Sequence, residues 1–180
     1  TIITGGIDLS VGSVAALCGA LAAGLATKQG LGTYPGILLA LAAGAGIGLL
    51  NGVLIAYGRL PPFVATLASM AAARGLTLVY TQGKPISGLD KSFTFWASNL
   101  AQIPVPVFVL IFIALVAHLL LAHTRFGVYT YAVGGNEETA RLASLPVRRV
   151  KLGVYALSGF TAALAGILLT ARLWSAQPNS

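Results

Sequence analysis

The chain has 180 residues, 57% of them hydrophobic and 8% charged, with a mean hydropathy of +0.87. Soluble domains carry roughly a quarter charged residues, so a chain this apolar could not cover its own surface in water and reads as an integral membrane protein. Its net charge of +7 does not mark a nucleic-acid binder, because the eleven Lys and Arg sit in the gaps between apolar runs and not on a basic helix with interleaved aromatics.

Crossing the hydrocarbon core takes about 20 apolar residues, and five runs qualify. The predicted fold is therefore all-α, a polytopic transmembrane helical bundle with about five membrane-crossing segments. Segment A, Leu9–Thr27, opens the chain. No basic region precedes it and no cleavage motif follows, so it is not a signal peptide. Just before it stands "GGIDLS", where Gly5 and Gly6 permit irregular backbone and Asp8 is the sole charge. Asp8 and Ser10 read two ways: as caps for the orphan amides of the first turn, or as part of a broken helix whose exposed amides line a pathway. Cys18, the single cysteine, lies inside A, which leaves no internal disulfide and no metal cluster.

Segment B, Gly36–Tyr57, follows the tight connection "KQGLGTYP", and the equally short "GRLP" leads into segment C, Pro62–Tyr80. B carries Asn51, suited to a hydrogen bond between helices. C carries Arg74, about 18 Å into the helix and close to mid-membrane. An arginine there costs about 2.5–3.5 kcal/mol on insertion scales, so it faces the bundle interior or water, or snorkels to the surface. The connection Thr81–Ile103 is longer and nearly neutral. Segment D, Pro104–Ala122, has no glycine and is the lipid-facing candidate; its His118 falls near one end and reads as interfacial. A, B and segment E, Gly153–Ala171, share small residues four apart: Ala16, Ala20 and Gly24 in A, Gly44, Gly48 and Gly52 in B, Ser158, Ala162 and Gly166 in E. That spacing lets helix backbones approach closely in lipid.

Residues 123–152, between D and E, are read as a cytoplasmic loop, because Arg125, Arg141, Arg148, Arg149 and Lys151 outnumber the cations of every other gap. Alternation then puts Asp8 and Arg59 on the inner side and Lys28 outside, a mild dissent. Within the loop Gly134 and Gly135 are expected to break the chain, Asn136 to cap a short helix, and Glu137 and Glu138 to fill its positive first turn. Arg141 follows at the negative end and Pro146 stops it. Such a helix either covers the bundle or docks a cytoplasmic partner. Arg148, Arg149 and Lys151 at the start of E oppose the helix dipole, so orientation and anionic lipid heads outweigh that term.

The stretches "GGIDLSVGS", "LPPFVATLASMAAARGLTLVYTQGKPI", "RFGVYTYAVGGNEETARLASLPVRRVKLGVYALSGF" and "AGILLTARLWSAQP" together resemble the permease subunits of bacterial ABC importers for monosaccharides, the ribose permease type. The likeness runs in order through nearly all 180 residues. The sister permeases for branched-chain amino acids share its weaker features. The resemblance implies an inner-membrane, multi-pass permease of which this chain is the middle, lacking helices at both ends. It implies pairing with a second permease copy as a homodimer, two cytoplasmic ABC ATPase subunits and a periplasmic sugar-binding protein, with no nucleic-acid partner. It implies no cofactor bound by this chain, ATP and Mg²⁺ residing on the partner ATPase, and so no enzyme activity of its own. Gly135, Asn136, Glu137, Glu138 and Arg141 are similar to the segment that couples permease to ATPase. Gly5, Gly6, Asp8, Ser10, Asn51 and Arg74 are the candidates for the translocation pathway or a helix break. An ion-coupled carrier ranks lower, since it would want paired buried acids or histidines. An intramembrane enzyme ranks last for lack of a nucleophile–base or metal set.

Overall fold

The computed structural model describes residues 1–100 and 102–178. Four of its helices are long and apolar enough to cross a membrane: α2 (Thr33–Ala56), α3 (Pro62–Thr81), α5 (Val105–His123) and α8 (Val147–Leu173). The first apolar run yields α1 (Val11–Thr27), a helix of only 17 residues. At 1.5 Å per residue that is about 26 Å, short of the ~30 Å core. The five expected crossings are thus four spans and one shorter apolar helix, because the chain from Gly6 to Ser10 has no regular structure.

That short helix is the centre of the bundle. Val14, Leu17, Cys18, Gly19, Ala20, Ala22, Ala23 and Gly24 are buried among α2, α3 and α8. The expected small-residue stripes account for the packing. A methyl on Gly48 of α2 would overlap the Tyr155 carbonyl oxygen of α8, and one on Gly159 would overlap the Gly44 carbonyl. On the other side of α8, Gly166 faces the Ala15 carbonyl of α1 with equally little room. In lipid, where apolar burial offers no drive between helices, this backbone proximity supplies dispersion contacts that larger residues would prevent. α5 has no buried residue, as its Val, Leu, Ile and Phe composition predicts for a lipid-facing helix.

At one end of the bundle the stretch read as a loop is a compact cap. Strand β1 (Ile86–Ser87) pairs antiparallel with β4 (Ser175–Ala176), so the chain after α3 and the chain after α8 are tied together. Between them lie the one-turn helix α4 (Lys91–Thr94) and the pair β2 (Asn99–Leu100) and β3 (Ile103–Pro104). Phe93 is completely buried there against the main core, and Thr33 and Ser92 share a 3.0 Å hydroxyl contact.

At the other end, residues 123–152 are not a loop. They form α6 (Arg125–Gly135), α7 (Glu137–Leu142) and the first turns of α8, which begins six residues before the expected Gly153. Val133, Ala140, Val147, Val150 and Val154 make a separate small core with Phe126, Tyr129 and Leu145. Gly134 and Gly135 complete α6, and the break falls at Asn136, whose backbone is extended (φ −159°, ψ 109°). Gly134 is small for a different reason: a methyl there would overlap the Ile3 carbonyl oxygen of the N-terminal 3-10 turn, Ile2–Thr4.

Candidate translocation site and docking helix

The irregular entry to α1 is fixed by a polar network. Gly5, with φ 72°, closes the 3-10 turn in the left-handed region that suits glycine. Gly6 is buried directly against the Tyr155 hydroxyl of α8 and leaves no space for a side chain. Asp8 does not cap the first turn of α1. Its Oδ1 accepts from the backbone N–H of Ser10 at 3.0 Å and from the Ser10 hydroxyl at 2.6 Å, while Oδ2 accepts from Ser158 of α8 at 2.7 Å. Ser10 is the N-cap residue but makes no side-chain cap bond, because its hydroxyl is turned toward Asp8.

The network continues across the bundle. Asn51 of α2, fully buried, donates through Nδ2 to Ser10 Oγ at 3.2 Å and accepts from Ser69 of α3. The Thr66 hydroxyl of α3 is shared between the Pro62 carbonyl of its own helix at 2.8 Å and the Ile7 carbonyl of the entry segment at 3.2 Å. One carboxylate and five neutral side chains therefore join the entry segment to α2, α3 and α8 with no cation involved. Hydrogen bonds to a charged acceptor are about twice as strong as neutral ones, so Asp8 can hold irregular backbone at a depth where water is scarce. Of the pathway candidates, Gly5, Gly6, Asp8, Ser10 and Asn51 are brought together, with Asn51 making the expected interhelical bond. Arg74 is not part of the cluster. It lies on the exposed side of α3, over a cavity shared with α1, and has no ion pair or hydrogen bond among the described residues.

Thr66, Ser69, Tyr155 and Ser158 were not foreseen in this role. Ser158 was visible only as a small packing residue, and Ser69 and Thr66 as hydroxyls on an apolar helix. Their sole signal is that several hydroxyls fall at similar depth on three spans. Tyr155 is 1% exposed, and its hydroxyl has no partner among the described residues.

The second site is α7. The Asn136 side chain accepts from the Thr139 N–H at 2.9 Å, which makes it the cap that its sequence position promised. Glu137 accepts from two sides, at Oε2 from Lys151 of α8 at 2.7 Å and at Oε1 from Arg141 at 3.2 Å. The hydrogen bond from Lys151 is the main reason that the Glu137 carboxyl is held below the usual carboxylate range. A lowered carboxyl pKa stabilises the folded form above the ordinary value, and the contribution is lost as pH falls through the lowered one. Glu138 is exposed, and Ala140 plugs the small core. The Glu137–Lys151 bond also offsets the conflict between that lysine and the α8 dipole.

Between α7 and the α2–α3 turn lies a cleft of about 840 Å³ lined by Tyr57, Arg59, Glu137, Arg141, Arg148 and Lys151, among others. The Arg148 guanidinium sits 5.1 Å above the centre of the Tyr57 ring, a cation–π contact that fixes one wall. The cations foreseen along 123–152 and at Arg59 thus converge on one end of the bundle.

A helical bundle with four spans, a centrally buried helix entered through polar irregular backbone, and a capped helix docked at its cationic end defines a multi-pass membrane protein of the permease class. The chain belongs to the family described as branched-chain amino acid transport system / permease component, which matches residues 1–180. Among its relatives is the ribose import permease protein of Bacillus subtilis (strain 168), 46% identical over 182 residues, covering 99% of this chain and 56% of that protein. The ribose import permease protein of Escherichia coli (strain K12) is 44% identical over 99% of this chain and 57% of its own length. The L-arabinose transport system permease protein of the same strain is 39% identical over 97% of this chain and 53% of its own. The chain therefore spans a little over half the length of these relatives. No solved structure matches it. Family and apolar helices together make it a multi-pass inner-membrane protein.

Proposed function

We propose that this chain is the core of the permease subunit of an ATP-driven importer for a monosaccharide of the ribose kind. The observation that carries this reading is the likeness to ribose import permeases along 99% of the chain at 46% and 44% identity. The geometry supports it in two places. A buried helix entered through irregular backbone is the arrangement by which membrane carriers expose polar groups at depth without leaving them unsatisfied. A short helix pinned by Asn136 and Glu137 and standing at the cationic end offers a rigid handle for a cytoplasmic motor. In this reading two permease copies line the pathway and two ATPase subunits, carrying ATP and Mg²⁺, dock against Gly135, Asn136, Glu137, Glu138 and Arg141. A periplasmic sugar-binding protein delivers the solute, and nucleotide binding and hydrolysis favour different helix arrangements in turn.

The test is reconstitution of the full-length permease with its neighbouring ATPase and secreted binding protein in liposomes, scored by uptake of labelled D-ribose. Uptake should require ATP and persist when the proton gradient is collapsed. Uptake that survives ATP depletion but stops with the gradient would sink the reading, and uptake of leucine in place of ribose would reassign the solute to the branched-chain amino acids. The double variant Glu137→Lys with Glu138→Lys should insert normally, because both residues lie outside the spans, yet lose ATP-coupled uptake by more than about tenfold, as expected when several charge pairs at a docked face are reversed.

A further inference from the structure

We infer that the cavity between α1 and α3 is where the permease itself touches its solute, and that Arg74 is the group that hydrogen-bonds a neutral polyhydroxyl ring there. The inference rests on the importer reading above and adds a ligand site to it. The cavity measures about 280 Å³, and its walls include Gly12, Ser13 and Ala16 of α1 with Met70, Arg74 and Thr77 of α3. That volume is at the lower end of small-molecule sites, about 300–1,000 Å³, and suits a single sugar ring better than a disaccharide.

Three observations converge on a solute. First, Arg74 stands near mid-membrane with neither an ion pair nor a hydrogen bond among the described residues. Asp8, on the facing entry to α1, has both oxygens already taken by Ser10 and Ser158. A guanidinium at that depth must face water or a polar ligand. Second, the cavity walls are small or polar on the α1 side, whereas α5 exposes Leu110, Ile111, Phe112 and Leu115 as a lipid-facing helix does. A lipid tail has no use for Ser13 and Arg74. Third, the wall chemistry fits the two sides of a sugar. Arg74 presents a planar fork of donors to adjacent hydroxyl oxygens, Ser13 offers a half-buried hydroxyl from α1, and Met70 offers an apolar surface to the ring C–H face. Among the described residues the cavity walls hold no carboxylate to receive an amino acid's ammonium group.

The experiment uses the full permease assembled with its ATPase and binding protein in liposomes, in a Cys18→Ser background carrying Ser13→Cys. A water-soluble methanethiosulfonate should modify Ser13→Cys, and D-ribose at about ten times its own weak binding constant should slow modification by at least about threefold, whereas L-leucine should not. Adding Arg74→Gln should abolish the protection and reduce ribose uptake about tenfold, the loss expected for a charged donor pair. Arg74→Lys, which retains charge without the fork, should show intermediate protection and serves if the Gln variant does not assemble. An unreactive Ser13→Cys, protection by leucine alone, or ribose protection that survives Arg74→Gln would each overturn the inference. If wild-type uptake is ATP-driven and ribose-specific while any of these occurs, only the cavity assignment fails. If wild-type ribose uptake is absent, the importer reading itself fails.

Discussion

At the scale of single residues, the chain concentrates its chemistry where backbone regularity is lost. Asp8 accepts three hydrogen bonds, from the Ser10 N–H, the Ser10 hydroxyl and the Ser158 hydroxyl, and so ties the entry of α1 to α8. Asp8→Asn keeps the shape but replaces the charged acceptor with a neutral amide whose NH₂ would face either the Ser158 hydroxyl or the Ser10 N–H and hydroxyl, all of them donors to the carboxylate. It should destabilise the folded protein by about 1–3 kcal/mol, the range for a buried polar group that loses its partner. Thermal unfolding of the detergent-solubilised full-length protein would read this as a lowered Tm. Tyr155→Phe is the contrasting substitution, since the Tyr155 hydroxyl is buried without a partner and its removal should leave Tm unchanged or raised. A drop for Tyr155→Phe as large as that for Asp8→Asn would mean that the hydroxyl has a partner outside the described residues. The sequence showed Asp8 as an isolated carboxylate but not its role. Capping is the common fate of an Asp–x–Ser before a helix, whereas its acceptance from Ser158 needs a contact 150 residues away along the chain.

At the scale of elements, small-residue spacing and bulk were the informative patterns. The GxxxGxxxG of α2 foretold a close helix neighbour, and α8 supplies it through Gly159 and the backbone of Tyr155. Within α2 the glycines are not equivalent. A methyl on Gly48 would overlap backbone, whereas Gly46 faces open space. Gly48→Ala should therefore force α2 and α8 apart and cost about 1–3 kcal/mol, as overpacking does, while Gly46→Ala should be neutral or mildly stabilising through helix propensity. Resistance to proteolysis of the membrane-inserted protein would compare the two, and equal resistance would contradict the α2–α8 packing. The same patterns misjudged the ends of elements. α8 was expected from Gly153 because Arg148, Arg149 and Lys151 interrupt the apolar run. Charge limits how deep a residue sits in lipid, not whether it is helical, and Val147, Val150 and Val154 continue one buried face through the charged turn. α6 was missed for the same reason: its eleven residues are too short and too mixed to register as a span, and what orders them is the small core with α7 and α8. α7, by contrast, was legible because its cap, its acidic first turn and its basic last turn are local signals.

At the scale of the whole molecule, the arrangement of ends decides whether a motor can reach its handle. Arg59, Arg125, Arg141, Arg148, Arg149 and Lys151 belong to the end that holds α6, α7 and the α2–α3 turn, and the cleft and the Tyr57–Arg148 contact show that these connections share one side. The opposite end is closed by the β1–β4 pair and the α4 segment, and carries Lys28, Lys84, Lys91 and Arg172. Cations cluster more densely on the α7 side, and the positive-inside tendency puts that side in the cytoplasm. The consequence is measurable in intact cells with Cys18→Ser as background. Gly135→Cys has open space around it at the α7 end, and Gln29→Cys is exposed at the other. An impermeant maleimide applied from outside should label Gln29→Cys at once and Gly135→Cys only after the inner membrane is permeabilised. The reverse pattern would place α7 on the exterior, where no ATPase is available. The sugar cavity between α1 and α3 would survive such an inversion as a site, but the coupling assigned to Glu137 and Glu138 would not. Orientation therefore separates what this bundle binds from what drives it.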